Sequence, residues 1–286
     1  MSTFGARLSA AFARHGRLCV GIDPHAFLLR EWGLPADAGG VRSFGLAVVE
    51  AAAGRVGVVK PQVAFFERFG SAGYAALEDV LAAARAAGLL VVADAKRGDI
   101  GSTMDGYAEA WLTPGSPLES DAVTLNPYLG AESLRGALTM ALRNGKGAFL
   151  LAATSNPEAR DLQSSRVAAA HAGAGPTVAE LVARDVAGLN GVSEGAGRLG
   201  SIGVVVGATV DRRPLGLVDD TLIGTPILAP GFGAQGADPG DLTRLFGALA
   251  PQVLASESRS VLSAGPDRIA ERIVMRAALY AGEPDA

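Results

Sequence analysis

Two carboxylates and an ammonium group lie close together in the segment LLVVADAKRGDIGST, which runs from residue 89 to residue 103. Its five leading apolar residues predict a buried strand, and Asp94, Lys96 and Asp99 follow that strand directly. Successive side chains of a strand point to opposite faces, so Asp94 and Lys96 are predicted to share one face. A lysine held between acids at a strand end is suited to place a fixed positive charge beside a reacting group.

Other strand-like runs also end in polar residues. Asp23 follows the first apolar run, Lys60 the second, Asn126 the fourth, and Ser155 the fifth, with Thr154 directly before it. Because the carboxyl ends of the strands meet at one face of a parallel barrel, we expect these side chains to form a single site with the charges of residues 94–99. Alternating ammonium and carboxylate groups favour chemistry in which fixed charge stabilises a carbanion.

A glycine-rich loop after the seventh run supplies a candidate phosphate site. Residues 230–236 read PGFGAQG, a literal G-x-G-x-x-G, but the loop follows the wrong strand for a dinucleotide fingerprint. In βα barrels the loops after the seventh and eighth strands commonly bind phosphate, because glycines let backbone N–H groups approach the anion. Gln235, and Arg259 after the eighth run, are predicted to add side-chain donors.

The spacing of the apolar runs predicts an α/β fold, a closed (β/α)8 TIM barrel, with a doubly wound open sheet as the alternative. The predicted strands are 17–23, 56–61, 89–93, 122–126, 147–155, 202–208, 226–231 and 252–256. Helices are predicted over 3–14, before the barrel, and over 41–53, 71–87, 104–111, 132–143 and 266–280. Ser102 or Thr103 is predicted to cap the helix that begins near Met104.

The whole chain, 1–286, is predicted to form one domain. The segment 156–200, with a helical piece near 177–189, is longer than a barrel connection needs. It is interpreted as an insertion after strand 5, since it has too few large apolar residues for a core of its own.

Composition and charge argue against several classes of protein. The net charge of the 286 residues is −4, and no run of lysine and arginine with interleaved aromatic residues is present, so we expect no nucleic-acid partner. The first residues carry Arg7 and Arg14 and no uninterrupted apolar core, so neither a signal peptide nor a membrane span is predicted. The single cysteine, Cys19, lies in an apolar run and favours a reducing compartment, the cytoplasm.

No sequence pattern indicates a metal or an organic cofactor. The chain has no cysteine pair, no H-E-x-x-H and no G-x-S-x-G. Its three histidines, His15, His25 and His171, are scattered and are interpreted as surface or capping residues. We therefore expect no metal and no cofactor in the reaction.

The pattern Asp94-x-Lys96-x-x-Asp99, followed by Thr103, resembles the signature of the orotidine 5'-phosphate decarboxylase family. The segments 126–128 (NPY) and 154–157 (TSNP) are similar to the longer bacterial subgroup, type 2. The resemblance implies decarboxylation of orotidine 5'-phosphate to uridine 5'-phosphate in pyrimidine biosynthesis, with neither metal nor cofactor. In that reaction the anion at C6 lies in the ring plane, and the resemblance implies that Lys96 stabilises and then protonates it.

The same resemblance implies roles for the other site residues. Asp94 would hold Lys96 protonated, Asp23 and Lys60 would bind ribose hydroxyls, Ser155 or its neighbour Thr154 would bind the pyrimidine edge, and Gln235 and Arg259 would bind phosphate. It further implies a homodimer in which Asp99 and Thr103 reach into the neighbouring subunit's site.

Two alternatives remain open. A barrel lyase or decarboxylase that acts on a sugar phosphate with Mg²⁺ shares the D-x-K-x-x-D pattern, but as the resemblance is interpreted it has an acid at the position of Lys60. Loss of activity with EDTA would favour it. A catalytically silent barrel that only binds a phosphorylated ligand would show tight binding without turnover.

Overall fold

The computed structural model describes residues 2–168, 174–193, 198–234 and 236–280. Within these ranges the strands, in chain order, are β1 (Leu18–Ile22), β2 (Val58–Pro61), β3 (Leu90–Arg97), β4 (Ala122–Leu125), β5 (Gly147–Ala153), β6 (Arg166–Ala168), β7 (Ala174–Thr177), β8 (Ile202–Val206), β9 (Ile227–Pro230) and β10 (Val253–Glu257). Eight of these described strands close into a barrel in the order β1-β10-β9-β8-β5-β4-β3-β2, and every adjacent pair is parallel. The predicted TIM barrel is confirmed, and the open sheet is excluded.

Helices alternate with the barrel strands and cover its outside. They are α1 (Phe4–His15), α2 (Ala26–Glu31), α3 (Ala38–Ala52), α4 (Ala64–Glu67), α5 (Gly70–Ala86), α6 (Gly101–Leu112), α7 (Arg135–Arg143), α8 (Ala159–Ser164), α9 (Val178–Ser193), α10 (Asp219–Leu222), α11 (Leu242–Phe246), α12 (Arg259–Leu262) and α13 (Ile269–Ala278). Short 3₁₀ helices occupy Ala131–Leu134, Arg213–Leu215, Pro239–Asp241 and Gly247–Gln252. None of the helices in the described part of the chain is long and apolar enough to cross a membrane.

The interior of the barrel is apolar at its N-terminal end. One buried layer is made of Cys19, Val58, Val92, Ala122, Phe149, Val205, Leu228 and Leu254, a residue from each barrel strand. Phe4 and Leu8 of α1 join this layer, and the Phe4 ring meets Phe149 edge to face at 6.0 Å. The predicted N-terminal helix therefore closes the bottom of the barrel, so that solvent reaches the interior from the C-terminal end, where the polar side chains lie.

The predicted cap of the helix after β3 is wrong. Helix α6 begins at Gly101, with Ile100 at the N-cap position and no side-chain cap bond, so Ser102 and Thr103 lie inside its first turn. Gly101 has a φ of +55°, which lets the chain turn into the helix earlier than the sequence pattern predicts.

The segment after β5 divides into two parts. Its first part holds α8 and a short antiparallel hairpin of β6 and β7, which the sequence patterns did not predict. Its second part is α9, which contacts both β5 and β8. That is the place of the helix between the fifth and sixth strands of a βα barrel, so this part of the segment builds the barrel wall.

Candidate active site

A bulge at the end of β3 turns the charged residues into the mouth of the barrel. Ala93 pairs with Val123 and Arg97 with Leu125, so four residue steps along β3 span two along β4. Within the bulge Lys96 has a φ of +48°, the one non-glycine residue with a positive φ in the described ranges. Asp94 and Lys96 consequently line the same cavity.

The Asp94 carboxylate is the centre of the site. Its Oδ2 accepts hydrogen bonds from Lys60 Nζ at 2.7 Å and Gln62 Nε2 at 2.9 Å. Its Oδ1 accepts from Lys96 Nζ at 2.5 Å and Thr124 Oγ1 at 3.0 Å. Both carboxylate oxygens are thus occupied by donors, two of them ammonium groups, which fixes the orientation of the carboxylate.

The two ions at the centre stabilise each other's charged forms. Burial alone would raise the pKa of Asp94, but the ammonium groups of Lys60 and Lys96 outweigh burial and hold that pKa well below its usual range. Burial would likewise lower the pKa of Lys60, but the carboxylates of Asp94 and Asp23 raise it above its usual value. Lys60 is therefore a permanent cation, and Asp94 a permanent anion, at neutral pH.

The edge of the cavity formed by β1 and β10 presents polar atoms that have no protein partner. Oδ1 of Asp23 and Oγ of Ser258 are buried and make no hydrogen bond within the described structure. Both residues line the cavity. Because an unsatisfied buried acceptor is costly, this edge is suited to a ligand that brings hydroxyl groups.

A histidine lies at the same edge of the cavity: His25 occupies the N-cap position of α2 and makes no side-chain cap bond. The ring of His25 lines the cavity between Phe27 and Phe65, with centroid distances of 5.4 Å and 4.4 Å. Burial, and then the guanidinium groups of Arg259 and Arg68, lower the pKa of His25 against the opposing effect of Asp23. The ring is therefore neutral at neutral pH. His171 lies outside the described residues.

The predicted anion loop and Arg259 meet at one end of the cavity. Gly231, Phe232, Ala234 and Arg259 line it, and Arg259 is the first residue of α12. Gly231 and Gly233 have φ values of 117° and 69°, so the backbone here follows a path that favours glycine. Gln235 lies outside the described residues. The whole cavity has a volume of about 740 Å³, which falls in the range of small-molecule sites.

The structure distinguishes between the two candidates after β5, Thr154 and Ser155, which both line the cavity. The Thr154 hydroxyl donates to Asn156 Oδ1 at 2.8 Å and accepts from Gln163 Nε2 at 3.0 Å. Ser155 is exposed, and its hydroxyl makes no hydrogen bond to another described residue. Ser155 is the one of the two whose hydroxyl is available to a ligand.

Asp99 and Thr103 do not join the cavity of their own chain. The Asp99 carboxylate accepts from the backbone N–H of Ile100 at 2.8 Å, and Thr103 is exposed on α6. Two large apolar side chains near this end of the barrel are exposed: Ile100, next to Asp99 in the chain, is 61% exposed, and Tyr128, after the adjacent strand β4, is 72% exposed.

Sequence reasoning missed two residues that complete the centre. Thr124 is a hydroxyl in the apolar run AVTL of β4, and Gln62 follows Lys60 by two positions. A single polar residue inside a buried strand is a usable signal, because such a group needs a partner. The sequence does not say which partner it finds.

The closed barrel and the charged cavity at its C-terminal mouth define a TIM-barrel enzyme. Residues 16–271 match the family described as Orotidine 5'-phosphate decarboxylase / HUMPS family. The chain belongs to this family, and the resemblance carried by Asp94, Lys96 and Asp99 is confirmed.

Individual relatives are similar over almost the whole chain. Orotidine 5'-phosphate decarboxylase of Corynebacterium glutamicum is 49% identical over 285 residues, covering 99% of each chain. That of Streptomyces coelicolor is 53% identical over 272 residues, covering 95% of this chain and 94% of its own. A crystal structure of a Streptomyces avermitilis protein assigned as this decarboxylase is 49% identical, covers 99% of this chain and 97% of its own, and superposes with a TM-score of 0.89.

Proposed function

We propose that this protein converts orotidine 5'-phosphate to uridine 5'-phosphate and CO₂ in pyrimidine biosynthesis, using its own side chains as the source of charge. The observation that carries the proposal is the Lys60–Asp94–Lys96 centre at the mouth of the barrel, in which Lys60 and Asp94 are buried and Lys96 faces the opening. Family membership and the relatives at about half identity support the substrate. The single cysteine, Cys19, is free and buried, which favours a reducing compartment and so supports a cytoplasmic location.

The reaction breaks the bond between C6 of the pyrimidine and its carboxylate carbon. The bonding electron pair stays on C6, in the ring plane, where resonance spreads it poorly, and CO₂ leaves. The Lys96 ammonium stabilises this pair and then transfers a proton to C6, becoming a neutral amine that regains a proton from solvent. One proton is consumed for each CO₂ released.

The energy of the interaction between two charges shows how much one lysine contributes to the rate. Two unit charges about 4 Å apart interact by roughly 4 kcal/mol at an effective dielectric of about 20. If that interaction is realised only in the transition state, it is worth about three decades of rate. The rest must come from binding energy and from the arrangement of the other charges, in which Asp94 holds the Lys96 ammonium close to C6.

The remaining polar groups bind the substrate. Asp23, with its unpaired Oδ1, and Lys60 bind ribose hydroxyls. Ser155, whose hydroxyl is available, binds the pyrimidine edge. Arg259 binds the phosphate together with the backbone of residues 231–233, and Gln235 adds an amide donor.

The enzyme acts as a homodimer, in which Asp99 and Thr103 complete the partner's site. The exposed apolar side chains of Ile100, next to Asp99, and of Tyr128, after the adjacent strand β4, support an interface on this face. Two inactive variants, Asp99→Ala and Lys96→Ala, test the arrangement. A dimer that contains one chain of each has one native site only if Asp99 acts across the interface. An equal mixture, dissociated and reassembled, should then regain about a quarter of wild-type activity. No gain on mixing would place Asp99 in its own chain's site.

The central experiment measures CO₂ release from orotidine 5'-phosphate by protein treated with EDTA. We expect full turnover, and a loss of at least about three decades in kcat for Lys96→Ala. Arg244→Ala, which removes a cation from the outer surface, should leave kcat unchanged. Activity abolished by EDTA would favour the Mg²⁺-dependent sugar-phosphate reaction instead, and tight binding without turnover would favour a silent binding protein.

A further inference from the structure

The hydroxyl of Thr124 connects two parts of the same catalytic lysine. Thr124 lies on β4, is 1% exposed, and lines the cavity. Its Oγ1 accepts a hydrogen bond from the backbone N–H of Lys96 at 2.9 Å and donates to Asp94 Oδ1 at 3.0 Å. The direction of both bonds is fixed, because an amide N–H only donates and an ionised carboxylate only accepts.

These bonds close a ring. The ring runs from the backbone N–H of Lys96 to Thr124, from Thr124 to Asp94 Oδ1, and from Asp94 Oδ1 to the ammonium of Lys96 at 2.5 Å. The backbone N–H of Lys96 is therefore linked to Asp94 Oδ1 through the buried Thr124 hydroxyl, and the ammonium of the same lysine contacts that oxygen directly.

The backbone N–H of Lys96 needs a hydrogen-bond acceptor of this kind. Its φ of +48° is in the left-handed region, which L-residues other than glycine rarely occupy because of steric strain. The bulge between the pairs Ala93–Val123 and Arg97–Leu125 interrupts the ladder at this point, so the Lys96 N–H takes a side-chain acceptor in place of a strand carbonyl. The Thr124 hydroxyl supplies that acceptor.

We propose that Thr124 is a positioning residue for Lys96, which holds the strained backbone and the Asp94 carboxylate so that the ammonium points at the reacting carbon. This proposal rests on the proposed decarboxylation. Thr124 transfers no proton itself. Its removal should affect the transition state more than substrate binding, because the phosphate and ribose contacts lie at other strands.

The test compares Thr124→Val, which keeps the shape of the side chain and loses the hydroxyl, with Thr124→Ser, which keeps the hydroxyl. We expect kcat of Thr124→Val for orotidine 5'-phosphate to fall by about 10- to 100-fold, with KM within about 3-fold of wild type. Thr124→Ser should retain kcat within about 3-fold. A second pair, Thr124→Ala against Thr124→Ser, isolates the hydroxyl with the methyl absent from both, and decides the question if the valine variant does not fold.

The outcomes separate this proposal from the function on which it rests. A wild-type enzyme that releases no CO₂ would overturn the decarboxylation itself, whatever the variants do. An active wild type with equal kcat in the valine, alanine and serine variants would overturn the role of Thr124 alone. A variant in which KM rises while kcat is unchanged would also overturn it, since the hydroxyl would then serve binding.

Discussion

The substitution Glu257→Gln tests how the C-terminal helix supports the phosphate end of the site. Glu257 ends β10, and its side chain is 0% exposed. It accepts hydrogen bonds from Arg276 Nη2 at 2.6 Å and Nε at 2.8 Å, from the Tyr280 hydroxyl at 2.5 Å, and from Ser260. Glutamine has the same shape but removes the charge and turns an NH₂ group towards these donors.

The expected loss of stability follows from this burial. Breaking a buried ion pair by altering one partner typically costs about 3–5 kcal/mol. The Arg276 side chain is 19% exposed and can recover some hydration, so we expect a loss near the lower limit, about 3 kcal/mol. With a urea slope of about 3 kcal/mol per molar, the unfolding midpoint should fall by about 1 M.

Urea unfolding followed by circular dichroism measures the shift. Asp241→Asn is the matched control, because it removes the charge of an acid whose partner, Arg244, is 70% exposed, and the midpoint should not move measurably. A Glu257→Gln midpoint within about 0.3 M of wild type would refute the reasoning, since the carboxylate would then contribute little to stability.

The same substitution should weaken binding of the substrate phosphate. A Cβ on Gly233 would lie 2.6 Å from Ser260 Oγ and 3.0 Å from Glu257 Oε2, so the loop rests directly on this cluster. Phe232 also meets Tyr280 edge to face at 5.6 Å. Below the unfolding temperature, we expect Glu257→Gln to raise KM for orotidine 5'-phosphate by a larger factor than it lowers kcat.

Two further predictions concern Arg259 and Asp94. Arg259→Ala should raise KM for orotidine 5'-phosphate by about 10- to 100-fold in steady-state kinetics, because a hydrogen bond to a charged group contributes about 1.5–3 kcal/mol; an unchanged KM would remove Arg259 from the phosphate site. Folding lowers the pKa of Asp94, so the ionised carboxylate stabilises the folded protein. This contribution is fully present above pH about 3.9, the pKa of an unfolded aspartate, and is lost as the pH falls below that value. Between pH 5 and pH 3 the urea midpoint should therefore fall less for Asp94→Asn than for wild type, and equal falls would contradict it.

The strands could be predicted from the sequence because a parallel barrel buries both faces of each strand. The run from Leu89 to Ala93 has no polar residue, and the polar residues Asp23 and Lys60 mark the ends of two strands, whereas β3 continues past Asp94 to Arg97. Short helices such as α2 and α12 could not be predicted, since they are too short to show an amphipathic period. The predicted cap of α6 was wrong because the chain turns into this helix at Gly101, without a hydroxyl side chain as cap.

The charged residues of the site could be predicted from the sequence, but the hydrogen bonds between them could not. Strand alternation predicts that Asp94 and Lys96 share one face, and in the structure their side chains are hydrogen-bonded. They are brought together, however, by a bulge that shifts the register between β3 and β4. That register depends on contacts between strands, which one strand's sequence does not contain. The parts played by Thr124 and Gln62 as donors to Asp94 follow from it, so they became visible only with the fold.

The structure also supports Lys96, and not Lys60, as the proton donor. Both ammonium groups contact Asp94, at 2.5 Å and 2.7 Å. The Lys60 side chain is 7% exposed and its pKa is raised, so it gives up a proton with difficulty and has little contact with the solvent that would return one. The Lys96 side chain is 45% exposed. A donor that must be recharged after every turnover needs a path to water, and of these two lysines Lys96 has it.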